Sequence, residues 1–171
     1  MAQSIRIVIV NASPKGEYSL TLQYAKYLVI HEPNVQWSII HVGEELTDMK
    51  YDKTWFAESL ELLQACEAVI FATPVYTMLV PWQLIRFFEL LREENKLSVL
   101  YDKYATGVMS CFHYFDNLAE QWLYGTCEDA GMHWMEGFSV DNTDLLKAEY
   151  RTSMRFFMQE FHLACTNRAP L

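Results

Sequence analysis

Residues Ile5–Asn11 read IRIVIVN, apolar at nearly every position and without in-and-out alternation. Such a run fits a strand covered on both faces, the usual situation in parallel sheets. A parallel sheet in turn demands long crossover connections, most often helices. The next residues supply one. A polar stretch, Asn11-Ala12-Ser13-Pro14-Lys15-Gly16-Glu17-Tyr18-Ser19, leads into Ser19–Ile30, where Leu22, Ala25, Tyr27 and Val29 are available for packing. Ser19 is a good N-cap, since its hydroxyl can accept from an orphan N–H of the first turn. The unit is strand, polar loop, helix.

The same alternation continues along the chain. Strands are expected at Val35–Val42, Ala68–Thr73, Tyr104–Ser110 and His133–Gly137. Helices are expected at Tyr51–Ala65, from Pro81 to about Glu94, at Tyr114–Ala130 and at Asp144–Cys165, with Asp144 favouring the start of the last one electrostatically. Pro74 ends the third strand, and Pro81 suits the first turn of a helix. Five strands with intervening helices predict an α/β fold, a doubly wound parallel sheet. The length of 171 residues fits a single domain over residues 1–171, and the natural protein could extend further.

In such sheets ligands bind outside the carboxyl ends of the strands, where strand order reverses. Three loops therefore matter: Ala12–Ser19, Pro74–Pro81 and Ser110–Phe115. The first offers hydroxyls, the cation Lys15 and a helix N-terminus, a combination suited to a phosphate. It lacks both the GxGxxG dinucleotide turn and the GKS or GKT of a P-loop. It also reads as a simple polar turn before a capped helix. The second, Ala72-Thr73-Pro74-Val75-Tyr76-Thr77, exposes an aromatic, a hydroxyl and backbone amides together. A planar ring system needs that mixture of apolar face and fixed polar edge. The plainer alternative is a Pro-terminated strand with Tyr76 at the rim of the core. The third, Ser110-Cys111-Phe112-His113-Tyr114-Phe115, adds a hydroxyl and an imidazole, although a lone histidine there is more often a hydrogen-bonding group than a base or a ligand.

Charge and cysteine content narrow the classes further. A net charge of −9 argues against nucleic acid as a partner, because phosphate backbones need clustered Lys and Arg. No secretion signal or apolar run of about 20 residues is visible, so a cytoplasmic protein without a membrane span is expected. The four cysteines show no CxxC spacing, which predicts reduced thiols and no metal site. Helix 82–94 carries Trp82, Leu84, Ile85, Phe87, Phe88, Leu90 and Leu91, a wider apolar surface than one stripe. It either packs deeply on the sheet or meets another subunit, which would make the protein a homodimer or higher homo-oligomer.

Taken together, the loops resemble those of the flavodoxin-like NAD(P)H-dependent FMN reductases, and especially the branch that includes iron–sulfur flavoproteins. The family pattern GSPR…NT corresponds to Ala12-Ser13-Pro14-Lys15 and Ser19-Leu20. Its TPVYW…P pattern corresponds to Thr73-Pro74-Val75-Tyr76-Thr77 and Pro81. The resemblance spans roughly residues 5–138. It implies a three-layer sandwich with strand order 2-1-3-4-5, bound FMN and NAD(P)H as co-substrate. It implies that Ser13, Lys15, Ser19, Leu20 and Thr21 hold the FMN phosphate. Pro74, Val75, Tyr76 and Thr77 would lie against the isoalloxazine, and Ser110, Phe112 and His113 would border its pyrimidine edge. No catalytic acid or base is assigned. The reaction implied is hydride transfer from NAD(P)H to the flavin and onward electron delivery to a small-molecule or protein acceptor. A one-electron carrier like flavodoxin, or a binding domain without flavin, are the alternatives. Ala12 stands where the family has Gly, Met78-Leu79 replace small residues, and the cluster cysteines of iron–sulfur flavoproteins are missing.

Overall fold

A computed structural model of the chain describes residues 4–46, 51–111 and 116–169. Its sheet contains β1 (Ile5–Asn11), β2 (Val35–Ile40), β3 (Ala68–Pro74), β4 (Tyr104–Ser110), β5 (His133–Trp134) and β6 (Phe138–Val140). The order is β2-β1-β3-β4-β5, with β6 also paired to β4, and every pairing is parallel. The helices are α1 (Leu20–Ile30), α2 (Val42–Glu45), α3 (Lys53–Ala65), α4 (Trp82–Glu93), α5 (Asn117–Asp129) and α6 (Ala148–Asn167). Both the doubly wound sheet and the order 2-1-3-4-5 agree with expectation.

The period-two alternation of the buried strands sorts the layers. Ile5, Ile7 and Ile9 of β1 join Ala68, Ile70 and Ala72 of β3 under α1 and α6. Val8, Val10, Val69 and Phe71 point the other way, into a core closed by α3, α4 and α5. Each strand is thus apolar on both faces because each face has its own helical cover. Helix α4 spends its width inside this second core: Leu84, Phe87, Phe88, Leu90 and Leu91 are all buried, and Phe88 meets Phe71 and Trp122. Deep packing accounts for most of its apolar surface, while Trp82 stays largely exposed.

Where the expected fifth strand lay, two short strands are found, making six among the described residues. Tyr104 and Ala105 pair with His133 and Trp134, but Val108–Ser110 pair with Phe138–Val140. Three residues, Met135–Gly137, therefore oppose only Thr106 and Gly107, which is a one-residue bulge. The bulge is held by polar contacts. Glu120 Oε1 accepts the Gly137 N–H at 2.8 Å and the Trp134 Nε1–H at 3.2 Å, and the Thr106 hydroxyl donates to Glu136 O. The strand then continues to Val140, three residues past the expected end at Gly137.

Other boundaries moved for local reasons. The second strand stops at Ile40, since Val42 opens α2, a helical turn absent from the expected pattern. Helix α3 starts at Lys53, where Asp52 caps it by accepting the Thr54 N–H at 2.7 Å. Helix α5 runs from Asn117; Tyr114 lies outside the described residues. Asp144 belongs to a 3-10 turn, Asp144–Leu146, ahead of α6. Its fully buried carboxylate accepts from Asp141 N at 2.8 Å and pairs with Lys147 Nζ at 2.9 Å, so it braces a loop instead of starting a helix.

Burial raises the Glu120 carboxyl above its ordinary value of 4.5, although its two N–H donors pull the other way. The sign follows: its contribution to stability is complete below the unfolded value and declines as pH rises through the folded one. Glu120→Gln, which keeps the accepting oxygen but cannot ionise, is expected to raise the melting temperature at neutral pH, with the gain vanishing near pH 4. Glu120→Ala strands two N–H groups and should cost about 1–3 kcal/mol in urea denaturation.

Candidate functional site

The carboxyl ends of β1, β3, β4 and β6 open into one cavity of about 850 Å³. That lies within the roughly 300–1,000 Å³ usual for small-molecule sites. Ser13, Lys15, Ser19, Leu20, Thr21, Pro74, Val75, Tyr76, Thr77 and Ser110 all line it. Ten of the expected site residues, from three separate loops, are therefore brought together. Phe112 and His113 lie outside the described residues.

The first loop is shaped from within. Asn11, buried at the end of β1, donates from Nδ2 to Gly16 O at 3.1 Å and accepts the Ser13 N–H at 3.2 Å. Ser13 Oγ accepts the Lys15 N–H, and a 3-10 turn, Gly16–Tyr18, follows. Gly16 has φ +51, a left-handed value that glycine adopts without steric cost. Ser19 caps α1 as expected, accepting the Leu22 N–H at 3.3 Å, while its carbonyl accepts from Gln23 N. The N–H groups of Leu20 and Thr21 have no acceptor among the described residues. Two unpaired donors, the buried hydroxyls of Ser13 and Ser19 and the cation Lys15 thus face one hollow.

The second loop makes the opposite wall. Tyr76 N donates to Leu79 O at 2.8 Å and Leu79 N to Tyr76 O at 3.1 Å, closing a tight turn over Thr77 and Met78. Both central residues have positive φ, 50 and 74. Tight hairpin turns normally fill such positions with Asn or Gly, because a β-carbon is strained there. Tyr76 and Met78 are half exposed at the cavity mouth. Two contacts lock this wall to the rest: Val75 N donates to Ser110 O at 3.0 Å, and Ser110 Oγ lies 2.5 Å from Thr21 Oγ1 on α1.

Sequence reasoning missed a fourth segment. Asp141, Asn142 and Thr143, the turn after β6, line the cavity together with Cys111 and Met78. Asp141 Oδ1 accepts from Thr143 N at 2.6 Å and from its hydroxyl at 2.9 Å. The buried Tyr24 of α1 donates to Asp141 O at 2.6 Å and accepts from Leu145 N at 3.0 Å; burial pushes its phenol above the usual range. The polar run DNTD was a usable signal, but reading Gly137 as the strand's end placed it too far along the chain. Gly43 was also missed. A β-carbon there would stand 2.2 Å from the carbonyl carbon of Ser13 and 2.6 Å from that of Ala12, so α2 packs backbone to backbone on the first loop. Among the described residues no group of three His, Cys, Asp or Glu could hold a metal ion, and no helix is long and apolar enough to cross a membrane.

The profile of the NADPH-dependent FMN reductase family matches residues 5–120. The chain belongs to that family, and so to the oxidoreductases that use FMN and a reduced nicotinamide. Solved structures share its fold. An apo NADH:FMN oxidoreductase, EMOB, is 19% identical with a TM-score of 0.78, over 94% of this chain and 90% of that one. FerB, a flavoenzyme NAD(P)H:(acceptor) oxidoreductase from Paracoccus denitrificans, is 17% identical with a TM-score of 0.73, over 98% and 100%. A flavodoxin, WrbA-like protein from Agrobacterium tumefaciens is 16% identical with a TM-score of 0.68, over 96% and 99%. No curated protein matches the sequence.

Gly43→Ala cannot be seated unless the backbone at Ala12 and Ser13 shifts. The expected outcome is FMN affinity weakened by about tenfold or more, equivalent to at least about 1.4 kcal/mol, measured by quenching of flavin fluorescence.

Proposed function

We propose that the cavity holds FMN with its phosphate in the first loop and its isoalloxazine along the second, and that the protein carries electrons from NADH or NADPH through it to a separate acceptor. The observation that carries this reading is the pair of open N–H groups at Leu20 and Thr21, ringed by Ser13, Ser19 and Lys15. A helix start of this kind favours an anion through unpaired donors and the peptide dipoles together. In a chain of net charge −9 the attraction must be local, and these groups supply it.

The remaining walls suit the rest of the molecule. Pro74, Val75, Tyr76 and Thr77, with Met78, give the flat apolar surface and backbone edge that a tricyclic ring needs. Thr21, Ser110 and the turn Asp141–Thr143 offer polar groups between the two loops, where the ribityl hydroxyls would lie. When bound, FMN would supply the redox chemistry, with a reduced nicotinamide as the source of hydride. The protein's part is to bind, orient and partly desolvate, and no side chain is needed as acid or base for that step.

The exposed rim formed by Tyr76, Met78, Leu79 and Trp82 supports self-association as a homodimer or larger assembly. Trp82→Glu is then expected to lower the mass measured by light scattering, while an unchanged mass would remove this part of the reading.

Two measurements test the cofactor and the reaction. FMN at a hundred times its dissociation constant stabilises by about 2.7 kcal/mol, which should raise the melting temperature by roughly 5–10 °C. Anaerobic addition of NADH or NADPH to the FMN-loaded protein should then bleach the visible flavin absorption. No thermal shift would rule out the cofactor assignment. Bound FMN whose colour survives both nucleotides would rule out the reductase.

A further inference from the structure

We propose that His41 is a positioning residue for the cofactor, holding the first loop in the shape that presents its amides and Lys15 to a phosphate; this rests on the FMN reading above. His41 lies between β2 and α2, outside the cavity lining. Its ring nevertheless meets groups from three different segments. Nε2 stands 3.1 Å from Glu17 Oε1, Nδ1 stands 3.3 Å from Glu44 Oε2, and Nδ1 also stands 3.2 Å from Asn11 Nδ2.

The orientation of Asn11 determines which way these bonds run. Its Oδ1 accepts from Ser13 N and its Nδ2 donates to Gly16 O, so the amide cannot be turned over without losing both. The second hydrogen on Nδ2 is therefore directed at His41, and Nδ1 accepts it in the tautomer that carries the proton on Nε2; in that tautomer Nδ1 makes no hydrogen bond to Glu44. That proton in turn points at Glu17. One ring thus ties the end of β1 to the 3-10 turn of the loop.

The consequence for an anion is electrostatic. Glu17 is two residues from Lys15, and a carboxylate free to swing there would pair with that cation and oppose a phosphate. Instead Lys26 pairs with one of its oxygens and His41 engages the other. The Lys26 hydrogen bond, aided by the Lys26 charge and the His41 hydrogen bond, holds the Glu17 carboxyl below its usual range, although desolvation works against it. Gln23 Nε2 adds a bond to Glu17 O at 2.8 Å. Glu44 fills the space beside Gly16, where a β-carbon would stand 2.0 Å from its carboxylate oxygen. His41 is two residues from Gly43, whose close backbone approach to Ser13 fixes the distance between α2 and the loop. The imidazole is therefore fixed in place before any ligand arrives.

The test compares FMN affinity, read by flavin fluorescence, in the full-length wild type, His41→Leu and His41→Gln, alongside the melting temperature of each apoprotein. Leu fills the space without hydrogen bonds. Gln can accept from Asn11 and donate to Glu17. The expected result is affinity weakened about tenfold in His41→Leu and restored to within about threefold of wild type in His41→Gln. If His41→Leu does not fold, His41→Asn, too short to bridge the same partners, takes its place with the same expectation. Equal affinity in wild type and His41→Leu overturns the proposal, as does His41→Gln binding as weakly as His41→Leu. A wild type that binds no FMN overturns the cofactor reading, and this inference with it.

Discussion

The parallel ladder between β1 and β3 is the contact on which the site depends. It pairs Ile7 to Asn11 with Ala68 to Ala72, and Ala12 N still donates to Ala72 O beyond the last paired residues. From that shared end the chain leaves in opposite directions. After β1 it turns into α1 on one face, and after β3 it turns into α4 on the other. Two loops that separate in this way must leave a crevice between them, and the cavity occupies it. Everything polar in the site is added to a gap that backbone pairing creates.

An acidic protein cannot rely on its overall field to bind an anion, and the proposed phosphate site relies on arrangement instead. The donors at Leu20 and Thr21 are oriented by helix geometry. The competing carboxylate Glu17 is paired on the far side of the loop. The loop's backbone is held by Asn11 from inside and Gly43 from outside. The second loop works differently, since its turn places Thr77 and Met78 in a left-handed conformation that costs about 1–2 kcal/mol per residue. Strain of that kind persists where surrounding contacts overdetermine it. The Tyr76–Leu79 pair and the Val75–Ser110 bond are those contacts.

Much of this could be read along the chain, and what could not shares one cause. Unbroken apolar runs such as IRIVIVN and AVIFAT announce strands buried on both faces, and the loops that follow them announce themselves by Ser, Lys, Pro and Tyr. The split of the last strand did not, because it is made by Glu120 reaching from a helix to Gly137 and Trp134. The turn Asp141–Thr143 was hidden behind that same error. Asp144 looked like a helix starter because its burial exists only when the loop is folded. The apolar breadth of α4 could not be divided between packing and exposed surface until Phe87, Phe88 and Leu91 were found inside and Trp82 outside.

Sequence alone determined the alternation of elements, the parallel sheet and the three stretches that would face a ligand, because these follow from local periodicity and from chemistry carried by neighbouring residues. Tertiary structure alone decided that those stretches share one hollow, that a fourth turn joins them, and that His41 and Gly43 support the first from behind. Such contacts link residues tens of positions apart, and no local pattern encodes them. They exist only once the strands have paired and set the distances.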